Sequence, residues 1–236
     1  VPVGNVPFGI TVTPDGKKVY VTNSDDDTVS VINTKTNIVT TTVPVGNVPF
    51  GITVTPDGKK VYVTNSDEGT VSVINTKTNT VTSIVPVGDG LFGVAVTPDG
   101  TNIYVVNNYD YPGDVSVINT TTNTITATVL VRTGPSGVAV TPDGTKVYVA
   151  NSDDDTVSVI NTKTNTVTSI VPVGFVPRGV TVTSDGKKVY VANSLNNTVS
   201  VINTAKNRVI ATVPVGIRPI AFGKFIGNIQ MKPKIT

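Results

Sequence analysis

The chain has 236 residues, a formal net charge of +2, only 14% charged residues, and no cysteine, tryptophan or histidine. Those absences exclude a disulfide framework, a thiol nucleophile, an imidazole base and the usual zinc ligands. The small net charge and low charged fraction argue against nucleic acid, and no apolar run approaches the roughly 18 residues of a membrane helix.

In chain order the same pattern recurs: Pro-Asp-Gly or Ser-Asp-Gly, a Val/Ile-Tyr-Val segment, Asn, then Val-Ser-Val-Ile-Asn-Thr. The leading aspartates Asp15, Asp57, Asp99, Asp143 and Asp185 are spaced by 42, 42, 44 and 42 residues. Such a period marks a repeat architecture whose units bury apolar surface only against neighbours, so the array reads as one domain. In the second copy, residues 50–55 alternate apolar and polar, Pro56 to Lys59 form a turn, and 60–65 alternate again. The acidic turn 66–69, a third strand 70–75, the turn 76–79, a fourth strand 80–87 and the loop from Gly88 complete four strands, A to D. Val, Ile and Thr dominate, which suits a pleated surface, and nothing carries a helical period. The prediction is an all-β propeller of four-stranded antiparallel blades, with a β-solenoid as the alternative.

The Tyr-Val-Thr-Asn at 20–23 and 62–65, with Tyr-Val-Ala-Asn at 148–151 and 190–193, resembles the repeat of the YVTN β-propeller family. The tail from Pro219 to Gly227 resembles the ending of propellers in that family, which include seven-bladed archaeal surface-layer proteins. The resemblance implies an extracellular, cell-surface setting and no chemistry.

Five complete repeats run from Pro7 to about Gly216, and 219–227 aligns with a further strand A, giving a propeller over 1–227 and a tail over 228–236. The expectation is a ring that needs additional N-terminal sequence, about 35 residues for six blades or about 77 for seven, at ~42 per repeat. A five-bladed ring with a surplus strand and completion by another molecule are the alternatives. Residues 1–24 and 43–66 are identical, as expected of recent duplication.

In an antiparallel meander the A–B and C–D turns share one end of the blade, and the B–C and D–A turns the other. Lysines such as Lys17, Lys18, Lys59, Lys60 and Lys146 collect at the first end, and Asp25 to Asp27, Asp67, Glu68 and Asp153 to Asp155 at the second. The acidic runs make Asp25, Asp27, Asp153 and Asp155 the candidate ligands for calcium, although they lack the spacing of a dedicated calcium loop. No other cofactor is expected. The Pro-Asp-Gly aspartates and Asn23, Asn65, Asn107, Asn151 and Asn193 read as turn-forming residues, since five equivalent positions cannot be one active site.

Symmetry breaks in the third repeat, where residues 107–114 are two longer than their counterparts and carry Tyr109, Asp110 and Tyr111. With Arg132 and Arg178 on the same end, and Arg218 nearby, these are the candidate partner- or ligand-binding residues, because aromatics and guanidinium groups anchor proteins and stack on sugars. The start of strand A, beside the expected axis, carries Phe8, Phe50, Phe92, Ser136, Arg178 and Ile220. Asn119 and Asn196 begin sequons that permit glycosylation in an exported protein. The reading is a non-enzymatic extracellular scaffold or assembly protein whose partners are other surface proteins, wall polymers, glycans or copies of itself. The alternatives are a glycan- or ligand-binding module and a metal-dependent, lactonase-like hydrolase; for the latter, the single glutamate, Glu68, falls in an outer turn.

Overall fold

The structure is a computed structural model that describes residues 1–109 and 111–221. Twenty strands form five four-stranded sheets, each a simple antiparallel meander. The first blade is β1 (Pro7–Val12), β2 (Lys18–Asn23), β3 (Thr28–Asn33) and β4 (Ile38–Pro44), and the second is β5 (Pro49–Val54), β6 (Lys60–Asn65), β7 (Thr70–Asn75) and β8 (Thr80–Pro86). The third is β9 (Leu91–Val96), β10 (Asn102–Asn107), β11 (Asp114–Asn119) and β12 (Thr124–Leu130). The fourth is β13 (Pro135–Val140), β14 (Lys146–Asn151), β15 (Thr156–Asn161) and β16 (Thr166–Pro172). The fifth is β17 (Pro177–Val182), β18 (Lys188–Asn193), β19 (Thr198–Asn203) and β20 (Arg208–Pro214).

Side-chain alternation explains why the second and third strands of each blade are buried almost throughout. Successive residues point to opposite faces of a sheet, and both faces of an interior blade are covered. Tyr20, Val29, Val31 and Val43 pack forward against Ile52, Val61, Val63 and Ile74 of the second blade. The same forward set, Tyr62, Val71, Val73 and Val85, meets Leu91, Ile103, Val105 and Ile118 of the third. Two more such cores join the third blade to the fourth and the fourth to the fifth. Burial of this apolar surface holds the array together, at roughly 25 cal/mol per Å² removed from water.

The first strands of the blades, β1, β5, β9, β13 and β17, pack side by side in chain order. Each carries a glycine whose added Cβ would drive into the backbone carbonyl of the next blade's first strand: Gly9 into Phe50, Gly51 into Phe92, Gly137 into Arg178. Gly179 meets the carbonyl of Ala221 in the same way, so the chain after the fifth blade returns to lie beside β17. The remainder of the expected closing strand, 222–227, and the tail 228–236 lie outside the described residues.

The end blades show what the neighbour does. Among the described residues no packing of comparable extent joins β17 to β1. On the first blade Ile10 is 55% exposed where its counterpart Ile52 is 8%, and on the fifth Val213 is 44% exposed where Val43 is 2%.

Candidate functional site

Each Pro-Asp-Gly turn is built by its own side chains. Thr13 Oγ1 donates to Asp15 Oδ1 at 2.7 Å, Lys17 N donates to the same oxygen at 3.1 Å, and Gly16 takes φ 70°. The pattern recurs at Thr55–Asp57, Thr97–Asp99, Thr141–Asp143 and Thr183–Asp185. These bonds, the threonine hydroxyl first and the backbone N–H second, hold all five carboxyls below the ordinary aspartate range. The aspartates are structural, as their repetition implies.

The lysines beside these turns are not all free surface charge. Lys18 Nζ donates to the Thr76 carbonyl at 2.6 Å, Lys60 to Thr120 at 2.6 Å and Lys146 to Thr204 at 2.6 Å, each in the C–D turn of the following blade. Beside each lysine a tyrosine hydroxyl donates to an asparagine of that turn, Tyr20 to Asn79 at 2.8 Å and Tyr148 to Asn207 at 3.0 Å. Burial, with the nearby turn aspartate second, pushes the hydroxyls of Tyr20, Tyr62, Tyr104 and Tyr148 up to about 12. The basic end is therefore partly a set of clamps between blades. The paired Lys17–Asp15, Lys59–Asp57 and Lys187–Asp185 are exposed and contribute little.

At the opposite end the acidic turns also work on backbone. Asp27 Oδ1 accepts from Val48 N at 2.9 Å and Asp155 Oδ1 from Val176 N at 2.8 Å, and Asp26 accepts both the backbone and side-chain amides of Asn5. These bonds tie each B–C turn to a D–A loop, where Val6, Val48 and Val176 are held at φ 47°, 52° and 51°. Gly90 and Gly134 fill the equivalent positions in the third and fourth blades. Among the described residues no group of three or more carboxylates converges to hold a metal. Asp25 and Asp153 are exposed and stand in different blades, so the four calcium candidates are not brought together.

The asparagines closing the second strands do something other than cap the turn backbone. Asn23 Nδ2 donates to Thr28 Oγ1 and Ser30 Oγ at 3.0 Å each, lacing the second strand to the third, and all four counterparts make the same kind of pair. Of the sequon asparagines, Asn119 Oδ1 accepts from Thr121 N and Thr122 N in a C–D turn, whereas Asn196 is exposed and accepts from Phe175 N.

Tyr109 and Tyr111 stand out from the surface, 75% and 89% exposed, and Tyr109 backs onto Gly90. Asp110 lies outside the described residues. Arg132 points to the fourth blade, with Nε 3.9 Å from Asp154 Oδ2, and Arg178 opens β17 with an exposed side chain. The candidates thus share one end of the molecule but not one pocket. Near the axis Phe8, Phe50 and Phe92 form a tilted ladder with ring centroids 3.8 and 4.9 Å apart. The cavity beneath, lined by Phe50, Phe92 and the strand glycines, holds about 40 Å³, far below the roughly 300 Å³ of a small-molecule pocket.

Reading the sequence alone passes over two features here: the five strand glycines, signalled only by Gly recurring inside a strand pattern, and an apolar sector in the fifth blade. There Leu195, Asn196 and Asn197 replace the acidic run, and Phe175 replaces Asn5 or Asn47. Phe175, Leu195 and Ile217 are all exposed.

Five blades of four antiparallel strands, arrayed around the strand glycines, define a β-propeller. A sequence model of the YNCE-like beta-propeller family matches residues 9–99 and 121–230, and the chain belongs to that family. Among solved structures it is similar to Kuenenia stuttgartiensis hydrazine synthase, at 19% identity and TM-score 0.70, covering 93% of this chain and 90% of that one. It is also similar to a functionally unknown protein from Desulfotomaculum acetoxidans DSM 771, at 20% identity and TM-score 0.79, covering 86% of this chain and 68% of that one. Likeness at this identity speaks to fold alone. No curated protein matches the chain.

Proposed function

We propose that this propeller is a non-enzymatic scaffold of an extracellular cell surface, resembling archaeal surface-layer propellers, and that it meets its partners through the end bearing the B–C and D–A loops. The observation that supports this is the division of labour at that end. The carboxylates of Asp27 and Asp155 are engaged by backbone amides, while Tyr109, Tyr111, Phe175, Leu195 and Ile217 stand exposed. Scattered exposed apolar residues are ordinary, but aromatics gathered on one end mark recognition surfaces.

Impermeant biotinylation of intact source cells tests the setting: labelling comparable to known surface proteins is expected, and labelling only after lysis overturns it. Binding to isolated envelope fragments tests the surface. Tyr109→Ala with Tyr111→Ala should weaken binding at least tenfold with an unchanged thermal midpoint, and unchanged binding refutes the use of this end. The exposed tyrosine pair also supports a second reading, a glycan-binding module, because aromatic faces stack on sugar rings. Saturation by purified envelope polysaccharide would favour it.

A further inference from the structure

Two turn positions vary together around the array, one at each end of the molecule. In the C–D turn the five blades carry Lys35, Lys77, Thr121, Lys163 and Ala205; in the B–C turn, at one equivalent position, they carry Asp25, Asp67, Tyr109, Asp153 and Leu195. Lysine stands where the other end has aspartate, threonine where it has the exposed tyrosine loop, and alanine where it has leucine beside Phe175. Among the described residues no contact inside the chain accounts for the match. Thr34 Oγ1 donates to the Gly16 carbonyl at 2.7 Å, holding the C–D turn against the A–B turn. The third strand, six residues long, sets that end roughly 20 Å from the B–C turn. The three lysines and three aspartates are exposed, and among the described residues their charged groups have no ion pair or hydrogen bond. In the fifth blade the B–C turn is bonded to the loops on both sides: Leu195 N donates to the Phe175 carbonyl at 3.2 Å and Arg218 N to Asn197 Oδ1 at 2.9 Å, so exposed Phe175, Leu195 and Ile217 surround it.

Resting on the reading of the loop end as a partner surface, we propose that its occupant is the basic end of a second copy, so that copies stack along the propeller axis with like blades in line. In that register Lys35 of one copy stands over Asp25 of the next, Lys77 over Asp67 and Lys163 over Asp153. The C–D turn lies one strand farther out than the B–C turn, an offset of about 4.8 Å that a lysine side chain spans. The third blade has no lysine at the basic end, with Asn102 where the others carry Lys18, Lys60, Lys146 and Lys188, so Tyr109 and Tyr111 meet turns free of lysine. Ala205 leaves room for Phe175 and Leu195. Turning one copy by a blade in either direction keeps one of four facing pairs matched, since Lys77 or Lys163 then meets Tyr109. The ends as wholes agree: among the described residues the basic end carries twelve Lys and Arg against five Asp, and the loop end ten carboxylates against three Arg. A contact between unlike ends that repeats by translation does not close, and it builds an open column. Charge pairs set its register and salt sensitivity, and the tyrosines and Phe175 supply affinity.

Sedimentation of the full chain over a range of concentrations tests this. The expected mass rises with concentration in steps of the 24.5 kDa chain. It returns toward a single chain in about 1 M salt, where the screening length is about 3 Å. A basic-end variant, Lys35→Glu with Lys77→Glu and Lys163→Glu, should weaken self-association at least tenfold. So should a loop-end variant, Asp25→Lys with Asp67→Lys and Asp153→Lys, each at an unchanged thermal midpoint that excludes misfolding. Mixed, the two variants should reassemble in alternation, because every contact is then either native or reversed on both sides. A monomeric parent, assembly indifferent to either variant, a mixture that stays monomeric, or assembly abolished instead by Ile10→Asp on the open face of the first blade overturns the proposal. A monomer whose binding to envelope fragments still needs Tyr109 and Tyr111 would sink the column and leave the surface scaffold standing; columns formed by a chain labelled only after lysis would do the reverse.

Discussion

Replacing Gly51 by alanine isolates the contact that sets how closely the blades approach. Gly51 lies in β5 with ordinary extended backbone, so its conformation suits any residue, and space alone demands glycine. An added methyl would strike the Phe92 carbonyl, with Thr64 Oγ1 at 3.1 Å and Val94 N at 3.2 Å closing the other sides. Two of these three neighbours are backbone of β9 and cannot rotate away, so β5 and β9 must separate and loosen the core of Tyr62, Val71, Leu91 and Ile103. Overpacking against a rigid neighbour costs about 3 kcal/mol, at the upper end of the usual range. With roughly 2–4 °C per kcal/mol for a chain of this size, thermal unfolding followed by circular dichroism should show a midpoint lower by ~6–12 °C. Gly16→Ala is the internal comparison: nothing lies within 4 Å of its added Cβ and only φ 70° opposes it, so the loss should be about 1 kcal/mol. If Gly51→Ala costs no more than Gly16→Ala, close approach is not what selects these glycines.

The left-handed valines invite the opposite change: Val6→Gly relieves about 1–2 kcal/mol of backbone strain against about 0.5–1 kcal/mol of added chain entropy, so urea midpoints should rise slightly, and a fall would refute the strain. Asp27→Ala leaves Val48 N without its carboxylate and should cost about 1–2 kcal/mol by chemical denaturation, whereas Asp25→Ala should be neutral. In alkali, Tyr20, Tyr62, Tyr104 and Tyr148 favour the folded chain because their hydroxyls are raised from 10.0 to about 12. That stabilisation is whole below pH 10 and lost as pH climbs through about 12; in a chain with Tyr109, Tyr111 and Tyr190 replaced by phenylalanine, phenolate absorbance should therefore rise together with loss of the β-sheet signal, and phenolate formation while that chain is fully folded would contradict it. In acid the turn aspartates act with the reverse sign, stabilising above the ordinary carboxylate range and losing that contribution as pH falls below it, so Asp57→Asn should flatten the acid limb of the stability curve.

Much of this molecule was legible before any coordinates. The period sets the blade, and alternation with turn residues places each strand to within a residue or two, as with 60–65 and 70–75 in the second copy. Turn alternation correctly sorts the loops to two ends, since Asp27 of a B–C turn reaches Val48 of a D–A loop. The Pro-Asp-Gly carboxylates could be assigned to structure because their partners, Thr at two residues before and an amide two residues after, are local in sequence.

What the sequence could not carry is anything that depends on the neighbouring blade. Lys18 reads as a surface charge because its acceptor, the Thr76 carbonyl, is 58 residues away. Gly51 reads as an ordinary strand residue because the carbonyl it admits belongs to the next repeat. Tyr109 and Arg132 look like one patch along the chain, yet one backs onto Gly90 and the other turns to Asp154. The sector around Phe175, Leu195 and Ile217 is dispersed over more than forty residues and becomes a surface only when the B–C turn bonds to the loops on both sides. By itself the sequence determined the repeat, the strands and the turns, because those follow from local periodicity and short-range hydrogen bonds. Tertiary structure decided which side chains clamp, which are crowded and which stand exposed, because each of those depends on packing between blades about forty residues apart.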